Sequence, residues 1–330
     1  MYLLRKISAV IVVCCLLIPT SRAVSASYSI TTVFGREYVD ISQYAKSKNL
    51  QFAYNSKNSK SGEVLLQSKW SKVVFKVDSR MAIVNGVVLW LSFPIAQKDG
   101  DVFISPIDIK TAIEPIILPP KASISDKINK ICIDPGHGGK DPGNIEGNKY
   151  EKDYTLMLAL ELKKRLEKEG FKIVLTRTRD KFVDLSERTR LANNSGVNLF
   201  ISVHFNSSDV KSVKGVETYC LTPEDAGSTN SGTNNSGKSK ATGNRNDAKN
   251  MLFAYCVQKS LSRTLGSEDR GVKRARFAVL KEAAVPALLV ECGFMSSPED
   301  MQKITDAAWR KEIARGIVEG IKDYKKQLTH

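Results

Sequence analysis

Histidine is scarce in this sequence. Three histidines occur in 330 residues, His137, His204 and His330, and the last is the terminal residue. A site that uses imidazole chemistry must therefore be built around His137 and His204. No histidine precedes His137, which argues against a histidine-ligated copper site in the N-terminal part of the chain.

Long hydrophobic runs are also missing, apart from a short one near the N-terminus. Arg5 and Lys6 precede the apolar run 9–19, and the small residues of 24–26 follow it. A membrane-spanning helix needs about 20 apolar residues, and this run is shorter. The pattern predicts a signal peptide over residues 1–26 rather than an anchor, and export to the periplasm, cell wall or extracellular space.

Cysteine is sparse once that leader is removed, because only Cys132, Cys220, Cys256 and Cys292 remain. Their wide spacing in a large domain does not resemble a disulfide framework, although an exported protein meets an oxidising compartment. Cys132 and Cys292 lie in apolar, strand-like runs and are expected to be buried thiols. A Cys220–Cys256 bridge stays open.

Acidic residues are outnumbered, with 35 Asp and Glu against 50 Lys and Arg, for a net charge of +15. A basic exported protein meets the anionic polymers of a cell envelope more readily than nucleic acid, so we expect no nucleic-acid partner. Hydrophobic residues make up 42%, as in ordinary globular proteins. The length suggests two domains.

The first region, residues 28–118, is rich in β-branched residues that alternate with polar ones. This pattern predicts a β-rich module, in which Asn85-Gly86 between apolar runs indicates a hairpin. Residues 38–46 and 105–113 are expected to form short helical turns. The module resembles the β-rich repeat found at the N-termini of some bacterial copper amine oxidases and wall hydrolases, and we expect it to bind wall material or a regulatory protein partner. A proline-containing linker follows at 119–129.

The second region, residues 130–326, alternates apolar strands with amphipathic helices. This order predicts an α/β domain of three layers around a mixed sheet. The predicted strands are 130–133, 171–176, 199–203, 215–221, 277–280 and 287–291, and the predicted helices are 154–169, 185–194, 247–265 and 307–325. Residues 226–246 are almost devoid of apolar side chains and are predicted to form a flexible loop.

The two internal histidines each follow a predicted strand. In α/β sheets ligands gather at the carboxyl ends of strands, so His137 and His204 can meet at one point. Zn²⁺ binds imidazole and carboxylate and leaves one position for water in catalytic sites. Glu151, at the entry of a helix after a glycine-rich loop, is the preferred third ligand, with Asp134 and Asp153 as alternatives.

Glu291 ends another apolar strand. A carboxylate there is costly to bury unpaired, and it is either a proton acceptor at the metal site or a structural group bound to an arginine or a helix N-terminus. Asn206 and Arg188 are weaker predictions for substrate binding. For Arg188 a structural ion pair is the favoured alternative.

The sequence blocks around these residues resemble the zinc-dependent N-acetylmuramoyl-L-alanine amidases of bacterial cell walls. The blocks occur in the family's order and lie at 133–139, 151–152, 185–193, 202–206, 214–217, 270–273, 277–281 and 289–296. The resemblance implies zinc ligands at His137, Glu151 and His204 and a catalytic glutamate at Glu291. It also implies the substrate, the peptidoglycan amide between N-acetylmuramic acid and L-alanine.

The chain departs from the family pattern at Phe205 and Ser297, neither of which is a predicted ligand. Some relatives carry a regulatory helix that plugs the metal site, and the polar 226–246 segment lacks the apolar face for one, so we predict no self-inhibition of that type. Two other functions stay open: a zinc peptidase that cuts within the stem peptide, and a non-catalytic wall-binding protein.

Overall fold

The computed structural model describes residues 28–54, 62–120, 127–229 and 239–329. The predicted signal peptide lies outside these residues, as do His330, part of the predicted linker and residues 230–238 of the polar segment. Among the described residues, no helix has both the length and the apolar character to cross a bilayer.

Within its described residues, the N-terminal region contains nine strands, three short α-helices and one π-helical turn. They are β1 (Ile30–Val33), β2 (Arg36–Asp40), α1 (Ile41–Ser47), β3 (Gln51–Tyr54), β4 (Glu63–Gln67), β5 (Lys72–Lys76), β6 (Met81–Val84), β7 (Val87–Trp90), β8 (Ala96–Lys98), β9 (Asp101–Ile104), α2 (Pro106–Asp108), the π-helical turn Ile109–Ile113 and α3 (Glu114–Ile117). The region is β-rich, as predicted, and Asn85-Gly86 turns the hairpin between β6 and β7.

The C-terminal region alternates strands and helices. They are β10 (Lys130–Pro135), β11 (Ile145–Glu146), β12 (Lys149–Tyr150), α4 (Glu151–Lys168), β13 (Lys172–Leu175), α5 (Leu185–Asn194), β14 (Leu199–Asn206), β15 (Val216–Leu221), the 3₁₀ turn Thr242–Asn246, α6 (Asp247–Leu265), β16 (Asp269–Ala275), α7 (Ala278–Lys281), β17 (Ala287–Phe294), α8 (Pro298–Thr305) and α9 (Ala307–Leu328).

One large sheet runs through both regions in the order β13-β10-β14-β17-β15-β16-β7-β6-β5-β4-β3. Strands β13, β10, β14 and β17 are parallel to one another, β15 is antiparallel to β17, and β3 to β7 form an antiparallel meander. The mixed α/β architecture is therefore confirmed. Parallel strands in the centre explain the continuous apolar runs there, since helices cover both faces.

The two faces of the sheet carry separate cores. Ile131 and Ile133 of β10 point to the core formed with α4, α6 and α9, whereas Cys132 between them points to the core under α5 and α7. This alternation follows from the period of two in a strand. Cys132, Cys220, Cys256 and Cys292 are all buried free thiols, and no Cys220–Cys256 bridge is present.

Two local predictions were wrong. Residues 277–280 were expected to be a strand but begin the short helix α7, because the carbonyl of Phe277 accepts the N–H groups of Leu280 and Lys281. The strand that pairs with β15 after α6 is β16, and the two strands are parallel. The helical turn expected from Tyr38 begins only at Ile41, where the Asp40 side chain caps α1.

The N-terminal and C-terminal regions share a boundary inside the sheet. Strand β7 pairs in parallel with β16 at Leu89 and Val272. The Asp269 side chain accepts the N–H of Val88 at 3.0 Å, and the Trp90 indole donates to the carbonyl of Arg270 at 3.0 Å. The same apolar core continues across this junction to the π-helical turn and α6.

Candidate active site

His137 is held in an unusual backbone conformation just beyond β10. Its φ is +61°, in the left-handed region that costs energy for a residue with a Cβ. The buried Arg188 donates to the carbonyl of His137 at 2.8 Å, and Arg177 donates to that of Gly136 at 2.8 Å. These bonds hold the turn, so the imidazole projects from the carboxyl end of the strand.

His204 lies within β14, which runs three residues further than expected, to Asn206. Gly136 passes so close that a Cβ placed on it would lie 2.2 Å from His204 Cε1. Only glycine allows this approach. The rings of His137 and His204 consequently meet edge to face, with centroids 4.8 Å apart.

Glu151 begins α4 and is 1% exposed. Its Oε2 lies 3.1 Å from His137 Nε2, and its Oε1 lies 2.8 Å from His204 Nδ1. Burial would raise the pKa of Glu151, but hydrogen bonds from the two histidines outweigh it and hold the pKa far below its usual range. Burial alone would lower the pKa of His137. The carboxylates of Glu151 and Asp141 outweigh burial, so the pKa of His137 is raised.

These three side chains form a group that could hold a metal ion. One ligand atom from each of His137, Glu151 and His204 lies within 4.8 Å of the others. Two imidazoles and one carboxylate form one of the donor sets found in catalytic zinc sites. The two alternative ligands lie outside this group: Asp134 bonds Arg188 at 2.8 Å and Ser202 at 2.9 Å, and Asp153 is in the first turn of α4.

Three residues that the sequence did not single out support the cluster. Asp141 Oδ2 lies 2.9 Å from His137 Nδ1, as outer carboxylates do in metal sites. Asn144 donates its backbone N–H and its Nδ2 to Glu151 Oε2, each at 2.9 Å. Gly143 has φ +68°, and a Cβ there would lie 2.6 Å from the His137 ring. Their places in the glycine-rich stretch after His137 were the only signal available.

Glu291 stands beside His204 in the sheet. The register pairs His204 of β14 with Glu291 of β17, and Glu291 with Glu217 of β15, so the three side chains share one face. Glu291 is buried, and its Oε2 accepts no hydrogen bond from the described residues. Burial and the charges of Glu151 and Glu217 raise the pKa of Glu291 well above its usual value.

Glu217 has the opposite environment. Its carboxylate accepts hydrogen bonds from Asn206 and Tyr219 at 2.8 Å, from Arg270 at 3.1 Å and from Lys273 at 2.5 Å. The side-chain amide of Asn206, which was predicted to bind substrate, thus already donates a hydrogen bond to Glu217.

Arg188, the other weaker prediction for substrate binding, is enclosed. It is 2% exposed and donates to Asp134 and to the carbonyls of Pro135, His137 and Val183. This arrangement corresponds to the structural ion pair, which was the favoured alternative to substrate binding for Arg188.

A cleft of about 540 Å³ opens over the cluster. Its polar lining includes His137, Glu151, His204 and Glu291. Its apolar lining consists of Phe182, Val183, Leu185, Phe277, Ala278, Val279 and Leu289. A concave site with few polar groups at an apolar wall is the usual form of a ligand pocket.

Known proteins resemble the C-terminal region. A family model described as N-acetylmuramoyl-L-alanine amidase matches residues 131–323. The sporulation-specific N-acetylmuramoyl-L-alanine amidase of Bacillus subtilis is 36% identical over 194 residues, which cover 58% of this chain and 66% of that protein. The N-acetylmuramoyl-L-alanine amidase AmiA of Escherichia coli is 32% identical over 229 residues, covering 62% and 79%. For LytC of Bacillus subtilis, at 34% identity, the match covers only 35% of that protein, so the chain spans part of the length of such relatives.

Solved structures agree with this match. The catalytic domain of CwlV, an N-acetylmuramoyl-L-alanine amidase of Bacillus (Paenibacillus) polymyxa, has a TM-score of 0.51 and 29% identity, and the match covers 60% of this chain and 99% of that one. An N-acetylmuramoyl-L-alanine amidase of Clostridium difficile has a TM-score of 0.51 and 32% identity, covering 60% and 97%.

Proposed function

This chain belongs to the N-acetylmuramoyl-L-alanine amidase family, and we propose that it hydrolyses the amide between N-acetylmuramic acid and L-alanine in peptidoglycan. The single observation that carries the proposal is the convergence of His137, Glu151 and His204 beside Glu291, whose Oε2 accepts no hydrogen bond from the described residues. That arrangement supplies a metal site and a proton acceptor in one cleft, as metal-assisted hydrolysis requires.

We assign the metal as zinc, with His137, Glu151 and His204 as its ligands. Zn²⁺ held there would polarise the lactyl carbonyl and lower the pKa of a water toward neutrality. Asp141 orients the His137 ring through Nδ1, and Asn144 orients the Glu151 carboxylate. A ligand set held by outer hydrogen bonds keeps its geometry through the reaction.

Glu291 carries the proton in this proposal. Its position next to His204, with Oε2 accepting no hydrogen bond from the described residues, suits a group that takes a proton from the attacking water and returns it to the departing amine of L-alanine. Arg270 and Lys273 form ion pairs with Glu217 beside it, and the charge of Glu217 contributes to the raised pKa of Glu291.

The setting follows from the substrate. Peptidoglycan lies outside the cytoplasm, and the leader at residues 1–26 would export the chain to the periplasm, cell wall or extracellular space. The domain of residues 130–326 would then perform the hydrolysis, and the module of 28–118 would contact the wall, an anionic polymer of the envelope or a regulatory protein. The net charge of +15 favours an anionic surface.

Digestion of purified peptidoglycan tests the activity. The mature chain is incubated with the wall material with and without a chelator, and the products are identified by mass spectrometry. We expect intact stem peptides that begin at L-alanine, and none after chelation. Fragments cut within the stem would replace the proposal with the peptidase alternative, and no cleavage by zinc-loaded protein would favour the non-catalytic one.

A further inference from the structure

The exposed apolar side chains of the cleft lining come from two different elements, which we call its two walls. One wall carries Phe182 and Leu185, at the approach to α5 and in its first turn, and the other carries Phe277, which precedes α7. These side chains are 38%, 55% and 39% exposed. Val279 and Leu289 also line the cleft and are nearly buried. Apolar surface left open inside a cleft indicates a ligand that covers it.

Both walls are held in place by the fold. The backbone of Phe182 packs on Gly139 so closely that a Cβ on this glycine would lie 2.5 Å from the Phe182 nitrogen. Asp184 caps α5 by accepting the N–H of Ser186 at 3.0 Å. The Phe277 ring meets the edge of Tyr219 with centroids 5.2 Å apart. The walls are therefore preformed, and binding would cost little ordering of side chains.

The charge of the cleft distinguishes the two halves of the substrate. Among the described residues that line it, Arg188 is the only lysine or arginine, and Asp134 and backbone carbonyls occupy its guanidinium. Asp141 and Asp184 add carboxylates to the lining. The stem peptide carries free carboxylates, whereas the muramyl half is neutral because its lactyl carboxyl is consumed in the amide. Lys140 lies beside this wall, with its Nζ 4.5 Å from the centre of the Phe182 ring, but it does not line the cleft itself. A largely apolar lining suits the neutral half.

We propose that Phe182, Leu185 and Phe277 form the subsite for the muramyl sugar, on the carbonyl side of the bond that is cut. This assignment rests on the proposed function. The aromatic rings would cover the C–H face of the pyranose and the methyl group of its acetamide, and would thereby direct the lactyl carbonyl toward His137, His204 and Glu291.

The test compares two substrates that differ only in the sugar. One is an N-acetylmuramyl peptide, and the other is the same peptide carrying a lactyl group without the sugar ring. Zinc-loaded wild type is compared with Phe277→Ala and with Leu185→Ala, whose exposed site makes misfolding less of a concern. Phe34→Ala is the control, because Phe34 is 81% exposed in the β1–β2 turn and does not line the cleft.

We expect each cleft variant to lower kcat/KM for the muramyl peptide by about tenfold and to leave the lactyl peptide within about twofold. The control should change neither. Equal loss on both substrates, or a loss that depends on the length of the stem peptide instead of on the sugar, would overturn the assignment.

A binding experiment separates this inference from the proposed activity. If wild type cuts neither substrate, the proposed function fails, and the subsite is then decided by calorimetry with zinc-loaded Glu291→Gln and the same two compounds. The subsite is supported if Glu291→Gln binds the muramyl peptide more tightly than the lactyl peptide and this difference disappears when Phe277→Ala is added. A preference that survives the second substitution, or no preference at all, rejects it.

Discussion

Glu217 and Glu291 lie directly opposite each other on the antiparallel strands β15 and β17, yet their carboxyl groups have opposite surroundings. Glu217 accepts hydrogen bonds from two cations, a tyrosine and an asparagine, whereas Oε2 of Glu291 accepts none from the described residues. Adjacent carboxyl groups in such different surroundings are typical of acid–base sites. This relationship is the basis for the first two predictions.

Glu291→Gln should abolish most of the activity while leaving the metal in place. The amide cannot accept a proton, so kcat should fall by about 10²–10⁴-fold. Zinc content by metal analysis should match that of wild type, because Glu291 is outside the proposed ligand set. Glu299→Gln is the matched control: Glu299 is an exposed partner of Lys214 and Lys303, and its loss should leave kcat unchanged. Full activity in Glu291→Gln would remove Glu291 from the mechanism.

The same substitution should stabilise the metal-free protein in a pH-dependent manner. Because the pKa of Glu291 is raised in the folded state, the folded chain keeps a proton that the unfolded chain loses above the usual glutamate pKa of about 4.3. Wild type therefore loses stability as pH rises above that value. Glutamine removes this loss.

Thermal unfolding of metal-free protein at two pH values measures this effect. At pH 7 we expect Glu291→Gln to have a Tm higher by roughly 2–4 °C for each kcal/mol gained. Near pH 3.5, where the carboxyl is protonated in both states, the two proteins should unfold together. A variant that is less stable than wild type at pH 7 would contradict the burial argument.

Asp141→Asn should weaken zinc binding without unfolding the protein. The carboxylate lies against His137 Nδ1, and loss of such an outer partner typically costs about 10–100-fold in metal affinity. Competition with a chromogenic chelator gives the dissociation constant. Asp209→Asn, an exposed carboxylate that does not line the cleft, serves as the control and should retain wild-type affinity. Unchanged affinity in Asp141→Asn would mean that Asp141 does not orient the ligand.

Gly271→Ala should loosen the junction between the N-terminal and C-terminal regions. Gly271 has φ +88°, and a Cβ there would lie 2.7 Å from the carbonyl oxygen of Val88 in β7. Gly86→Ala is a matched control, because Gly86 has φ +86° and a Cβ there would meet nothing within 4 Å. Both variants bear the backbone strain, about 1–3 kcal/mol, and only Gly271→Ala adds the clash.

Denaturant unfolding of the full chain distinguishes these variants. We expect Gly271→Ala to lower the free energy of unfolding by about 1–3 kcal/mol more than Gly86→Ala does. Equal losses would indicate that β7 yields without cost, and that the pairing of β7 with β16 contributes little to the fold.

Much of the fold could be predicted because it rests on local patterns. Helix α5 has the predicted bounds, since Asp184 caps it and its sequence has a clear helical period. Helix α6 begins and ends where the apolar period does, with Gly266 in the left-handed conformation at its end. The short run at 277–280 failed because four apolar residues fit a strand or a helix equally well.

The sequence by itself determined which groups were available: two internal histidines, a glutamate at a helix start and a glutamate in an apolar strand. The tertiary structure alone decided that Glu217 and Glu291 are neighbours, that Arg188 forms an ion pair with Asp134, and that β7 extends the sheet at β16. The physical reason is that strand register and the close approach of Gly136 to His204 depend on contacts between residues far apart in the chain, which no local pattern encodes.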